Sequence, residues 1–186
     1  MAKLYFRYGA MCSAKTLNLL AVAHNYKSQG KKILLLKPKL DDRYGNKIES
    51  RAGLRAECDM EIDGHVNLLS LDFSGIDCVL VDEAQFLDVK SIEHLRWISI
   101  NNNIPVICYG LRTDFQTNTF PGSKRLLELS DSIEEIKTTC VYCNRKAIFN
   151  MRLLNGRPIF TGNQIEVGGN DKYESVCANC YYDKLK

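Results

Sequence analysis

Three groups of residues in this sequence have the types and spacing that chemistry needs. The first is GAMCSAKT (9–16), where four intervening residues separate Gly9 from Ala14-Lys15-Thr16. The phosphate-loop pattern is glycine, four residues, glycine, lysine and serine or threonine, so only Ala14 departs from it. In such a loop the backbone N–H groups, here those of Gly9, Ala10, Met11, Cys12, Ser13 and Ala14, curl around phosphates at a helix N-terminus. Lys15 would neutralise phosphate charge and the Thr16 hydroxyl would reach Mg²⁺. The alternative is a polar strand-to-helix turn with a lysine whose stem lies along apolar surface. If position 14 requires φ > 0, alanine there costs about 1–3 kcal/mol. If it is already helical, the alanine adds only a methyl group near the phosphates.

The second group is Asp82-Glu83, which closes the apolar run VLV. A carboxylate at the end of a buried strand holds the Mg²⁺ shell in phosphate-loop enzymes, although acidic residues also end many strands with no such task. The two motifs in this order point to nucleotide binding. The third group is Cys140-x-x-Cys143 with Cys177-x-x-Cys180. Buried thiols or two disulfides are the bland readings, but paired CxxC motifs without signs of secretion point to tetrahedral Zn²⁺. Four cysteines fill all four positions, so the zinc would be structural.

These residues need elements to hold them. KLYFRYG (3–9) reads as a strand feeding the phosphate loop, and residues 15–29 as the helix after it, stopped by Gly30. KILLLK (32–37), DCVLVDE (77–83) and IPVICYG (104–110) are continuous apolar runs, the pattern of strands covered on both faces. Residues 88–100 and 123–129 read as helices and 132–137 as a further strand, while 38–60 show no clear element. Strand alternating with helix implies right-handed crossovers and a mostly parallel sheet, with ligands at the carboxyl ends of its strands. The expected fold is α/β, a phosphate-loop nucleotide-binding domain over 1–137. From 138 to 186 the cysteine pairs bracket a hairpin turning at Asn155-Gly156 and a Gly168-Gly169 loop, a small zinc-ribbon-like lobe.

The 186 residues can bury a core without covalent staples. With 25 Lys+Arg against 22 Asp+Glu, the charge of +3 is too mild for a protein that coats nucleic acid. Apolar runs fall short of the roughly 20 residues that span a bilayer, and Lys3 and Arg7 interrupt any signal-peptide core. A cytoplasmic protein with no membrane partner is expected.

GAMCSAKT, DDRYG, VLVDEAQFL, VICYGLRTDF, the cysteine pairs and VGGNDKYESVC together resemble the cytosolic and bacterial (type II) thymidine kinases, over roughly residues 3–182. The resemblance implies a RecA-like sheet and transfer of the ATP γ-phosphoryl group to the 5′-hydroxyl of thymidine, with deoxyuridine a weaker substrate. It makes Glu83 the general base. Lys15, Thr16 and Asp82, with Ala84 and Gln85 of the same motif, belong to the phosphate and Mg²⁺ side, and Asp41 and Arg43 lie near phosphates and sugar. Met11, Phe86, Leu111, Phe115 and Phe120 line the thymine pocket. Ile165, Glu166, Val167, Gly168 and Gly169 form a lasso loop that reads the base, with Tyr173 near the nucleoside, and Cys140, Cys143, Cys177 and Cys180 hold structural zinc. A homotetramer inhibited by dTTP is also implied. Ala14 replaces the family's glycine, and Asn150 stands where some members place a threonine near the thymine methyl.

Two rivals carry their own discriminators. DEAQ after a buried strand also suits a nucleic-acid-stimulated ATPase, but only about 50 residues follow position 137, too few for a second motor domain. A binding protein without turnover would share the motifs, and a phosphorylation assay separates it.

Overall fold

The computed structural model describes residues 1–165 and 172–185. Its centre is a six-stranded sheet, all of whose pairs are parallel: β1 (Leu4–Tyr8), β2 (Ile33–Pro38), β5 (Met60–Ile62), β6 (Cys78–Val81), β7 (Val106–Gly110) and β8 (Ser132–Glu135), in the order β5-β2-β6-β7-β1-β8. Strands β6 and β7 are buried along their whole length. The period-two alternation of a strand explains why: Val79 and Val81 face one core, Cys78 and Leu80 the other.

On one face lies helix α1 (Lys15–Ser28), whose Leu19, Leu20 and Ala23 meet Leu35, Leu80 and Tyr109. On the other, α2 (Val89–Asn101) and α3 (Pro121–Leu129) present Ile92, Leu95, Ile98 and Leu126 to Leu4, Phe6 and Leu36. Asp88 caps α2 by accepting a hydrogen bond from the Ser91 N–H at 2.7 Å, which satisfies one of the free donors of the first turn.

Three expectations need correction. Residues 38–60 are not featureless: β3 (Lys47–Glu49) and β4 (Arg55–Glu57) form an antiparallel hairpin, and β5 begins at Met60. Lys37, only 1% exposed, supports this region by donating to the carbonyls of Asp41 (2.9 Å) and Gly45, with Glu61 3.4 Å away. Second, β6 stops at Val81, so Asp82 and Glu83 lie beyond the strand. Third, α3 begins at Pro121, two residues before the expected start, because proline is pre-set for the first helical turn.

Beyond β8, β9 (Phe149–Leu154), β10 (Arg157–Ile159) and β11 (Tyr173–Val176) form a separate antiparallel sheet in the order β10-β9-β11, followed by α4 (Ala178–Asp183). Asn155 and Gly156 make the β9–β10 turn with φ of 50° and 75°, as the Asn-Gly pair required. Met151, Val176 and Tyr181 make a small core beside Cys140 and Cys177.

Candidate active site

The carboxyl ends of β1, β2, β6 and β7 open into one cavity of ≈410 Å³. After β1 the chain turns through residues 9–16 into α1. A Cβ on Gly9 would stand 2.3 Å from the Ile136 carbonyl oxygen and 2.4 Å from Ser13 Oγ, so only glycine fits. Cys12 (φ 58°) and Ala14 (φ 62°, ψ 28°) are both left-handed. Position 14 therefore is one where glycine is the unstrained residue. Ala14, the N-cap of α1, has no side chain that could cap its first turn. Lys15 Nζ donates to the carbonyls of Gly9 (3.1 Å) and Ala10 (2.8 Å). Burial lowers the Lys15 pKa, against the opposing pull of Glu83 and Asp82.

The Thr16 hydroxyl donates to Asp82 Oδ2 at 3.1 Å, joining the two groups expected to share a cation. Glu83 lies beyond the end of β6. Its backbone is left-handed (φ 47°), which swings the carboxylate away from Asp82 toward Arg43 Nη2, 2.6 Å away. Arg43 Nε in turn donates to Asp41 Oδ1 at 2.5 Å. Gln85 Nε2 donates to Glu83 Oε2 (2.6 Å) while Gln85 Oε1 accepts from the Leu111 N–H (2.9 Å), so Gln85 locks the carboxylate to the end of β7.

The two adjacent carboxylates behave oppositely. Burial and the charge of Glu83 push the Asp82 pKa up. Burial also pushes Glu83 up, but Arg43 and Lys15 outweigh it and hold Glu83 below the ordinary carboxylate range. Glu83, held ionised, can accept a proton, while Asp82, whose ionisation burial and Glu83 disfavour, is the carboxylate that a bound cation would relieve.

The apolar half of the cavity contains Met11, Phe86, Leu111, Phe115 and Phe120. Phe86 and Phe120 meet edge to face with centroids 5.7 Å apart. Asp41, Arg43, Asn150, Ile165 and Tyr173 also line it, with Cys12, Ser13, Ala14, Lys15 and Thr16 at the other end. Ala84 is buried among the core side chains of the α2 face. Glu166, Val167, Gly168 and Gly169 lie outside the described residues.

Several lining residues went unread in the sequence. Glu49, Ser50, Arg51 and Ala52 come from the tip of the β3–β4 hairpin, and Arg51 Nη1 contacts Cys12 Sγ of the phosphate loop. The hairpin is short and mostly exposed, so no hydrophobic pattern announced it. Thr113 and Asp114 follow β7, and Asp114 fixes its own loop by accepting from the Gln116 and Asn118 N–H groups and from Gln164 Nε2 (2.8 Å). An aspartate two residues before a backbone N–H is the signal that could have marked that turn.

Apart from this cavity, Cys140, Cys143, Cys177 and Cys180 place their sulfurs within 4.8 Å of one another. Cys143 Sγ is 3.6 Å from Cys177 Sγ and 3.8 Å from Cys180 Sγ. Tetrahedral Zn–S bonds of ~2.3 Å require S–S separations of about 3.8 Å, so the four thiols fit a metal ion.

The sequence matches the family description "Thymidine kinase" over residues 2–181. It is 46% identical to a thymidine kinase of Chromobacterium violaceum, covering 98% of this chain and 99% of that one. It is 43% identical to one from Streptococcus pyogenes and 44% identical to one from Lactococcus lactis, each covering 98% of both chains. A solved Pif1 helicase from Candida albicans overlaps 73% of this chain and 36% of its own, at 12% identity and a TM-score of 0.44.

Proposed function

We propose a mechanism from the premise that the chain belongs to the thymidine kinase family: it transfers the γ-phosphoryl group of ATP to the 5′-hydroxyl of thymidine, giving ADP and TMP. The observation that carries the mechanism is the divergence of Asp82 and Glu83, one bonded to Thr16 and the other to Arg43 and Gln85.

Phosphoryl transfer asks a protein for position and charge more than for covalent chemistry. The loop 9–14 and Lys15 hold the donor phosphates, with Lys15 leaving the Gly9 and Ala10 carbonyls to meet them. Thr16 and Asp82 would hold Mg²⁺, which would supply positive charge against the donor phosphates. Glu83 accepts the proton from the 5′-hydroxyl, kept ionised by Arg43 and oriented by Gln85. Asp41 and Arg43 border the transferring group. Met11, Leu111, Phe86, Phe115 and Phe120 enclose the base, with Ile165, the 166–169 segment and Tyr173 completing its site. A pocket that gains one methyl discriminates by ~1–3 kcal/mol, so deoxyuridine is a weaker substrate rather than an excluded one.

We divide the chain into a nucleotide-binding domain, 1–137, and a lobe, 138–186, whose four cysteines hold structural Zn²⁺. The cysteines, none paired in a disulfide and three buried away from the cluster, suit a reducing cytoplasm. Among the described residues no helix is long and apolar enough to cross a membrane. Self-association as a homotetramer is supported by Val89, Trp97 and Ile100, exposed along one side of α2. Inhibition by dTTP is supported by a cavity that receives both a thymine and phosphates. The charge of +3 gives no reason to add a nucleic-acid partner.

Incubation with Mg²⁺-ATP and a panel of deoxynucleosides tests the reading. TMP, with less dUMP and no product from deoxyadenosine or deoxycytidine, is expected. ADP release that ignores thymidine would overturn it.

A further inference from the structure

The phosphate loop of this chain contains two non-glycine residues in left-handed conformation, Cys12 and Ala14, within three positions. Each costs on the order of 1–3 kcal/mol and persists only where the surroundings hold it. Part of what holds the loop comes from the far end of the chain. Asn150 on β9 and Ser175 on β11 are directly opposite in the antiparallel register, so their side chains leave the same face of the small sheet. Both reach the same residue. The Met11 N–H donates to Asn150 Oδ1 at 2.8 Å, and the Ser175 hydroxyl donates to the Met11 carbonyl. Asn150 is 4% exposed and Ser175 is 2% exposed, so water does not replace either partner. The segment between the two sheets adds a third contact, from Thr138 Oγ1 to the Cys12 carbonyl at 3.3 Å.

We infer that Asn150 and Ser175 are positioning residues for phosphoryl transfer: this cross-strand pair clasps both polar groups of Met11 and so holds the strained phosphate loop in its phosphate-binding shape. The lobe thereby acts on the donor side of the reaction as well as beside the nucleoside. This rests on the kinase reading, and deepens it. Without the clasp, the strain at Cys12 and Ala14 is relieved by loop conformations that do not bind phosphate. Apparent nucleotide affinity then falls by the fraction of loops still competent.

Ser175 does not line the cavity, so Ser175→Ala reaches the site only through Met11. Leaving a buried carbonyl unpaired weakens binding of Mg²⁺-ADP, read by calorimetry, by roughly fivefold to a hundredfold. KM for ATP rises in proportion, and by more than KM for thymidine, whose pocket Met11 only borders. Ser175→Thr, which keeps the hydroxyl, restores most of the loss. Asn150→Leu, similar in volume but without the acceptor, weakens Mg²⁺-ADP binding to a similar extent. Each variant is checked for zinc content and a cooperative melting transition. Unchanged ADP affinity in both folded variants would overturn the inference, as would parallel losses for ATP and thymidine in Ser175→Ala. Loss of zinc or of the folded state in both Ser175→Ala and Asn150→Leu would reduce the pair to a purely structural role and equally overturn it. A wild-type protein that binds Mg²⁺-ADP but never phosphorylates thymidine would instead refute the kinase reading, a different outcome from any of these.

Discussion

Asp82 and Glu83 are neighbours in sequence with opposed chemistry, and the difference is made by one backbone dihedral. The left-handed Glu83 turns its carboxylate to Arg43, leaving Asp82 buried beside a negative charge with the Thr16 hydroxyl as its side-chain donor. Because the folded state raises the Asp82 pKa, Asp82 binds more protons folded than unfolded, and stability falls as pH rises through that interval. Glu83 has the reverse sign: its depressed pKa contributes stability above the unfolded value, lost as pH falls through the folded one. In metal- and nucleotide-free protein, Asp82→Asn removes the first effect together with the charge Asp82 places on its neighbours. Its thermal midpoint is therefore expected to exceed that of wild type by a margin that grows from about pH 4 into the neutral range. A margin that shrinks with rising pH would contradict the assigned direction. Ala14 gives a second test at this scale. Its φ of 62° is free of strain for glycine, so Ala14→Gly should keep turnover and hold or raise stability, the relief of ~1–2 kcal/mol being partly offset by added unfolded-chain entropy. A clear drop in melting temperature would show that the left-handed assignment is mistaken.

At the scale of elements, legibility followed burial. Strands β2, β6 and β7 were readable because continuous apolar runs such as VLV and PVICYG have few folds open to them, and the Asn155-Gly156 turn because its residues are selected by positive φ. The β3–β4 hairpin was not readable. Of its strand residues only Ile48 is buried, and its place is fixed from outside by Lys37, which sits under it with carbonyl partners. The phosphate loop, the carboxylate pair and the cysteines were legible from motif spacing, and the pocket residues only from the family resemblance, whereas the turn that separates Asp82 from Glu83 left no compositional trace. The lobe is an element of another kind. Its buried core of Met151, Val176 and Tyr181 is small, and its four thiols lie close enough together to hold a metal ion. Chelation that strips the ion should lower the thermal midpoint and abolish TMP formation, both recovered by added Zn²⁺. A metal-free protein with an unchanged midpoint would rule out the structural role.

At the scale of the whole molecule, one sheet delivers its polar loops to a single edge. The phosphate loop follows β1, Asp41 and Arg43 follow β2, the carboxylate pair follows β6, and the aromatic wall follows β7. The strand-end rule for parallel sheets puts them together irrespective of their separation in sequence, and the lobe closes the same cavity with Asn150, Ile165 and Tyr173. In the proposed mechanism donor phosphates and acceptor base meet across Glu83, which is hydrogen-bonded to Arg43 and to Gln85. The most direct measurement is TMP formation by Glu83→Gln beside wild type, with Mg²⁺-ADP and thymidine affinities determined on the same preparations. A positioned base contributes about 10²–10⁴-fold, so kcat should fall by that factor while both ligands still bind. Turnover of Glu83→Gln at the wild-type rate would contradict the assignment of the base, and with it the mechanism.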